Sequence, residues 1–503
     1  MNALSSADRQ KNAMDLDVLR AFLAMAADTI GREHAVLAAD DAGNPTTVSL
    51  GPNISMFRSR AVFGVLKPGT SQEVRAIVTA FSGLAGSVSL HPYSTGRNWG
   101  LGSREPAQDN VIALDLGRLD RIQRVDPSGG WAVIEPGVTQ ARLAKALEGT
   151  DRILNITASS AHTSVVGNIL DRGVGLRRPR VEDLLGLEVV LPGGEVVHVG
   201  WWPGRTPHDP PYAQGLGPSL LHAFVQSGFG VVTAAAVRLL PRPEALRVVS
   251  VQFEIRSLGP AVDLFRRWIG QGLTRNSLRV YDPAAAAAYL GSAGQYLAHI
   301  CVDGVAEAVD ALAGIVEREA AESGLFSAVW HSGTPGLSEE ECRIAALIDQ
   351  EYAGAPDTDD LLLTTKTGHP VDQMDEKAGL LFFLPVVPMS GPGVTHAQAL
   401  LRKAADETGA RTGATYVTFD ADLALAVIAV KFSRGTAEVG RAHRTLERLY
   451  ELFSEAGFTM CRLDVDHSEW ASRFGADPAA KRLVRRVKNV LDPQHVIASG
   501  RYL

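Results

Sequence analysis

Several things are missing from this chain, and each absence removes a class of protein. Cysteine is scarce: Cys301, Cys342 and Cys461 are odd in number and far apart. That spacing builds neither a disulfide framework nor a zinc site, and a reducing, cytoplasmic setting is expected. No apolar run reaches the roughly 18 residues that span a bilayer. The N-terminus, Met1 to Asp17, is polar and mixed in charge, without the apolar core of a secretory leader. There is no basic stripe to grip nucleic acid and no acidic block. The 49 basic and 56 acidic residues are well mixed and leave a formal charge of -7. HExxH, CxxC, GxSxG and the kinase signatures are absent as well, so nothing points to those chemistries or to a bound metal.

What is present is ordinary globular material. The 503 residues are 46% hydrophobic and 21% charged, enough for two or three domains with cores of their own. A helix is expected over Asp15 to Ala27, with Leu16, Leu19, Phe22 and Leu23 on one face. A strand is expected over Val62 to Leu66. Thr70 and Glu73 then stand at capping-box spacing before a helix through Val74, Ile77, Val78 and Phe81. Strands follow at Val88 to His91, Val111 to Leu116 and Trp131 to Glu135, the last after the turn Asp126-Pro127-Ser128-Gly129-Gly130. Leu187 to Leu191 and Val196 to Val199 flank Pro192-Gly193-Gly194 as a hairpin, and Gly230 to Leu240 reads as a strand. After Arg242-Pro243 the rhythm changes to four strand-then-helix units, which predicts one sheet with helices on one face. Gly333 to Gln373 reads as a less regular inserted loop region. A final helix is expected over Pro478 to Val490.

Three segments carry chemistry. The first is Ser94-Thr95-Gly96-Arg97-Asn98-Trp99-Gly100-Leu101-Gly102-Ser103. Glycines let successive backbone N–H groups converge on an anion, and Arg97 adds charge. The spacing is neither a Walker loop nor GxGxxG, and on composition a surface turn fits as well. The second is the small, polar run Ser159 to Asn168, followed by Asp171-Arg172-Gly173. By itself it reads as a long Ser/Thr loop, and an acid beside a base is more often a surface pair. The third, Gly228-Phe229-Gly230, allows close backbone approach to a ligand or simply a tight connection. His162 and His467 read as structural histidines.

In their order and phrasing these segments resemble the vanillyl-alcohol oxidase and p-cresol methylhydroxylase family. The matching stretches are Pro92 to Ser103, Val133 to Val138, Val166 to Gly175, Leu187 to Gly194, Phe224 to Thr233 and Leu491 to Tyr502. The resemblance implies an α+β fold: a two-subdomain FAD-binding domain plus an α+β cap, or substrate, domain with an antiparallel sheet. It implies an N-terminal helical segment 1–57, an FAD-binding domain 58–245, a cap 246–460 and a C-terminal segment 461–503 returning to the FAD domain. FAD would be held by Ser94, Thr95, Gly96, Arg97, Asn98, Gly100, Gly102, Ser103, Pro136, Gly137, Ser160, Ser164, Gly167, Asn168, Gly230, Val232 and Arg501. Asp171 matches an acid near the flavin, a base or a stabiliser of a cationic intermediate. Arg462 matches an arginine that binds an anionic substrate group.

The departures matter. Two tyrosines that hold a phenolate in the relatives are replaced here by Leu101 and Cys461. Together with Arg462, these two would line the substrate site. The stretch Asp420 to Val427, where a covalent flavin link is often made, offers no His or Tyr. The linking histidine of other branches is replaced by Arg97. The expectation is therefore an FAD-dependent oxidoreductase, with non-covalent FAD, acting on a small molecule other than a plain 4-alkylphenol. Oxygen or an acceptor protein would take the electrons, with a homodimer possible. A flavin-binding subunit without turnover is the alternative.

Overall fold

A computed structural model describes residues 15–502 apart from 85–86, 205–209, 290–291, 293, 357–358, 360–366 and 475–476. The polar stretch before Asp15 lies outside the described residues. The first helix, Leu16–Ile30, starts where the Asp15 carboxylate accepts from the N–H groups of Asp17 and Val18. Its buried face, Leu19, Phe22, Leu23 and Ala26, packs on the helix Ser71–Ala80, with Phe22 edge-on to Phe81. That second helix is capped by Thr70 as the spacing predicts. The Glu73 carboxylate, however, takes the N–H of Gly69 rather than that of Thr70.

These helices cover a four-stranded sheet in which Val62–Leu66, Val111–Asp115 and Ser89–Tyr93 run parallel. The chain's end extends it: Ala498 donates to Leu90 O and Leu90 donates to Val496 O. A second, five-stranded antiparallel sheet follows, ordered 196–200, 184–190, 231–238, 131–134, 122–126. Its hairpin pairs Val190 with Val196 across the Pro-Gly-Gly turn.

A third sheet has eight antiparallel strands, ordered 328–330, 245–253, 296–304, 279–281, 411–418, 423–431, 380–388, 459–462. Period-two alternation sorts its side chains. Leu381, Phe383, Ala426, Ile428, Val280 and Tyr416 face the helices Leu258–Gly270, Ala306–Glu322, Gly391–Thr408 and Thr436–Glu455. Tyr281, Leu297 and Cys301 pack instead with residues of the N-terminal sheets, and Leu384 and Leu425 pack with Leu101 and Cys461. The expected helices-on-one-face layer is present, with its other face against the first body.

One expectation from pattern falls short, and one strand goes unpredicted. The region 333–373 is not simply a loop, because it contains the helix Glu339–Tyr352. A Ser338/Glu341 capping box starts this helix, which buries Ile344, Ile348 and Tyr352. The strand Arg411–Thr418 escapes pattern because its residues, RTGATYVT, include a mid-strand glycine. Among the described residues no helix is long and apolar enough to cross a membrane. No group of three His, Cys, Asp or Glu there could hold a metal ion.

Candidate active site

A cleft with about 1450 Å³ of empty space, counting the part open to solvent, runs between the first two sheets and the returning tail. The glycine loop leaves the parallel strand Ser89–Tyr93 at its C-terminal end, the place where open α/β sheets hold ligands. Ser94, Thr95, Gly96, Arg97, Asn98 and Ser103 of that loop line the cleft. Opposite them stand Pro136, then Ser164, Gly167, Asn168 and Asp171, then Gly230 and Val232, and finally Arg462 and Arg501. Segments more than 300 residues apart in sequence therefore meet in one place.

Four expected residues do not line it. Gly137 sits beneath, its N–H donating to Leu119 O. A Cβ there would lie 2.3 Å from Gly117 O. Ser160 is fully buried, its hydroxyl directed at the Asp359 carboxylate 3.3 Å away. Gly100 and Gly102 turn toward the eight-stranded sheet and the chain after it. A Cβ on Gly100 would lie 2.4 Å from Phe382 Cδ2, and one on Gly102 2.5 Å from Val465 Cγ2. Both adopt positive φ, +78° and +115°. Glycine is needed at these two positions for that close approach.

The expected substrate residues split. Leu101 and Cys461 share a buried apolar cluster with Leu384 and Leu425, edged by Val174, Phe382 and Val427. Arg462, next to Cys461, points into the cleft.

Asp171 is the electrostatic centre. One carboxylate oxygen accepts from Arg501 Nη2 at 2.7 Å and from the Tyr502 hydroxyl at 2.9 Å. The other accepts from Asn98 Nδ2 at 3.2 Å and lies 3.7 Å from Arg462 Nη1. Burial works to raise the carboxyl pKa, but the charges of Arg501 and Arg462 and the hydrogen bonds outweigh it. The group is held below the ordinary carboxylate value. It is thus a fixed anion and a poor proton acceptor. Burial also pushes up the Cys461 thiol, which stays protonated, and lowers His91 to about 4, which stays neutral.

Sequence reasoning did not single out Tyr93, Thr163, Gln226, Ser227 and Tyr502, all of which line the cleft. Gln226 and Tyr502 lay within recognised stretches, yet nothing local marks a tyrosine at the chain's end as the partner of Asp171.

Polar atoms in the lining lack protein partners: Arg97 Nη1, Thr163 Oγ1, Ser227 Oγ and Arg462 Nε are buried without a hydrogen bond. Natural proteins rarely leave such atoms unmatched. A polar, anionic ligand fits two arginines and two hydroxyls left in this way.

Comparison with known proteins agrees. Residues 63–200 match the family described as an FAD binding domain. The chain is 28% identical to the 1'-carboxy-chondrochloren decarboxylase of Chondromyces crocatus, over 87% of this chain and 90% of that protein. It is 25% identical to the flavoprotein subunit of the hydroxylating 4-cresol dehydrogenase of Pseudomonas putida, over 82% and 83%. Its fold matches substrate-bound p-cresol methylhydroxylase with a TM-score of 0.86 at 22% identity, covering 97% of this chain and 98% of the other. It matches the 4-ethylphenol oxidase of Gulosibacter chungangensis with a TM-score of 0.83 at 21% identity, covering 98% of each. The chain is an FAD-dependent enzyme, and its relatives and structural neighbours are FAD-linked oxidoreductases of the p-cresol methylhydroxylase type.

Proposed function

We propose that this enzyme withdraws a hydride from a small organic substrate bearing an acidic group, and that a plain 4-alkylphenol is not that substrate. In this reading residues 58–245 bind FAD, 246–460 form the cap, and the loop Ser94 to Ser103 cradles the pyrophosphate. FAD held by these residues would supply the hydride acceptor.

The observation that carries the reading is the contrast around Arg462. The residues beside it, Leu101 and Cys461, belong to a buried apolar cluster and offer at most one weak thiol donor. Arg462 itself keeps a buried Nε without a partner. A neutral phenol finds little there to hold its oxygen, whereas a carboxylate finds a guanidinium. The Chondromyces relative, by its name, decarboxylates a carboxylated compound, which supports an acid-bearing substrate.

Asp171 holds negative charge beside the reacting centre. It steadies positive charge that develops on a carbon losing hydride, and it orients Arg462 and Arg501 at the same time. The surrounding apolar cluster excludes water, which strengthens these charge effects. Oxygen or an acceptor protein then takes the electrons.

The test is anaerobic mixing of the holoenzyme with matched pairs of aromatic and aliphatic acids and their uncharged analogues. Bleaching of the flavin by the acids alone is expected. Rapid bleaching by p-cresol or vanillyl alcohol would overturn the reading.

A further inference from the structure

The glycine loop has two halves, and only the first faces the cleft as a run. The second, Trp99 to Ser103, is gripped from outside. The carboxylate of Asp375, in the short helix Met374–Lys377 of the cap, receives three donors from distant parts of the chain. Ser103 Oγ donates to Oδ1 at 2.6 Å, Ile54 N–H donates to Oδ1 at 3.0 Å, and Trp99 Nε1 donates to Oδ2 at 3.0 Å. The backbone of Asp375 is fixed in turn. Arg434 Nη1 donates to Asp375 O at 3.0 Å, Ala378 O at 2.9 Å and Asn53 O at 3.3 Å. Phe382 N–H donates to Gly100 O at 2.9 Å.

The gripped half connects directly to the cleft. Ser103 lines it and holds a left-handed backbone, φ +54°, which a serine adopts only when its surroundings impose it. Both N–H groups of Leu101 and Ser103 turn inward onto Asn98 O. Asn98 carries the amide that reaches Asp171. The guanidinium of Arg97 lies over the Trp99 ring, 5.6 Å from its centre. A displaced Trp99 thus moves Arg97, and a displaced Ser103 moves Asn98.

We propose that Asp375 is a positioning residue for the cofactor loop: its carboxylate, reaching in from the cap, sets the shape in which Ser94 to Ser103 receives FAD. An acceptor-only group with donors on both oxygens is required, because an amide in its place turns a donor toward one of the three N–H or O–H partners. The inference rests on the reading that this loop cradles FAD, and the two are tested apart.

The experiment compares FAD retained per chain after gel filtration at high dilution, together with the visible circular dichroism of the bound flavin. The full-length variants are Gly96→Val, Asp375→Asn, Trp99→Phe and Asp375→Asn with Trp99→Phe. Asp375→Asn and Trp99→Phe should each shed FAD about tenfold more readily, the range for a hydrogen bond to a charged group. Both should change the flavin's dichroism. The double variant should be no worse than Asp375→Asn, because both changes break one link. If Gly96→Val keeps its flavin like the parent, the loop is not the cradle. If Gly96→Val loses flavin while Asp375→Asn and Trp99→Phe keep both retention and dichroism, the positioning role is wrong. Additive losses in the double variant also overturn it. Should Asp375→Asn fail to fold, Ser103→Ala and Trp99→Phe report the same link, and unchanged flavin binding in both overturns the proposal.

Discussion

The side of this site proposed for the cofactor and the side proposed for the substrate are built by opposite means. The cofactor side is made of backbone and small polar side chains in a few contiguous runs, with buried ions at its end. The substrate side is made of single apolar side chains taken from separate strands, Leu384 from one, Leu425 from another, Leu101 from the loop and Cys461 from a fourth segment. A shared cofactor imposes one backbone shape, and backbone shape needs particular residues in sequence. A substrate pocket needs only a volume and a few charges, which many scattered residues supply.

The comparison breaks at once if the cofactor side is covalent. Acid precipitation should release all of the flavin colour into the supernatant, because Asp420 to Val427 presents no His, Tyr or Cys. Colour remaining in the pellet would show that a residue of the cleft, such as His91, makes a bond that the polar contacts do not account for.

The next largest effect belongs to the ion cluster that both sides share. Arg501→Ala removes the shortest partner of Asp171. Breaking one member of a buried pair costs about 3–5 kcal/mol, and the same energy added to the barrier slows reduction about 100- to 5,000-fold. The pH dependence has a definite sign. The Asp171 carboxyl is held below its ordinary value of 3.8, so its contribution is present above that value and lost as pH falls through the depressed one. Without Arg501 the carboxyl rises, and the acid limb of the rate profile should move to higher pH. An acid limb that stays in place would mean Asp171 does not titrate in it.

A smaller effect isolates the substrate side. Arg462→Ala should lower turnover on an acid substrate about 10- to 100-fold, the range for a hydrogen bond to a charged group, while flavin occupancy stays full. Loss of flavin along with turnover would move Arg462 to the cofactor side and blur the division.

Legibility follows the same line. The strand Val62–Leu66, the Thr70 cap and the hairpin at Pro192 were readable because turn chemistry and period are local. The glycine loop was readable as a candidate site, and six of its residues line the cleft, but the reason for two of its glycines was not readable. Gly100 and Gly102 answer to Phe382 and Val465, contacts some 280 and 360 residues away. Tyr502 and Asp375 were invisible for the same reason, since each acts through long-range hydrogen bonds. The helix Glu339–Tyr352 was readable in principle from Ser338 and Glu341 but lay in a stretch taken as loop.

The smallest effect tests what holds the substrate side's backbone in place. Arg462 ends a strand, and the turn after it is pinned by His467. Nδ1 of that ring lies 2.8 and 2.9 Å from the two oxygens of buried Asp464, and Nε2 lies 3.0 Å from Glu447. The ring stacks on Tyr450, whose hydroxyl donates to the same Asp464. Burial disfavours the charged ring, but Asp464 and Glu447 more than offset this, and the pKa rises from 6.5 to about 9. A raised histidine stabilises the fold fully below its unfolded value and loses that contribution as pH climbs through the folded one. His467→Gln should therefore melt lower at pH 6, by about 1 °C for each kcal/mol lost in a chain of this length. The gap should shrink between pH 6.5 and 9 and level off above it at the contribution of the stacked ring. A gap that is constant across that range would mean the imidazolium charge contributes nothing, leaving only the stacked ring to anchor the turn that carries Arg462.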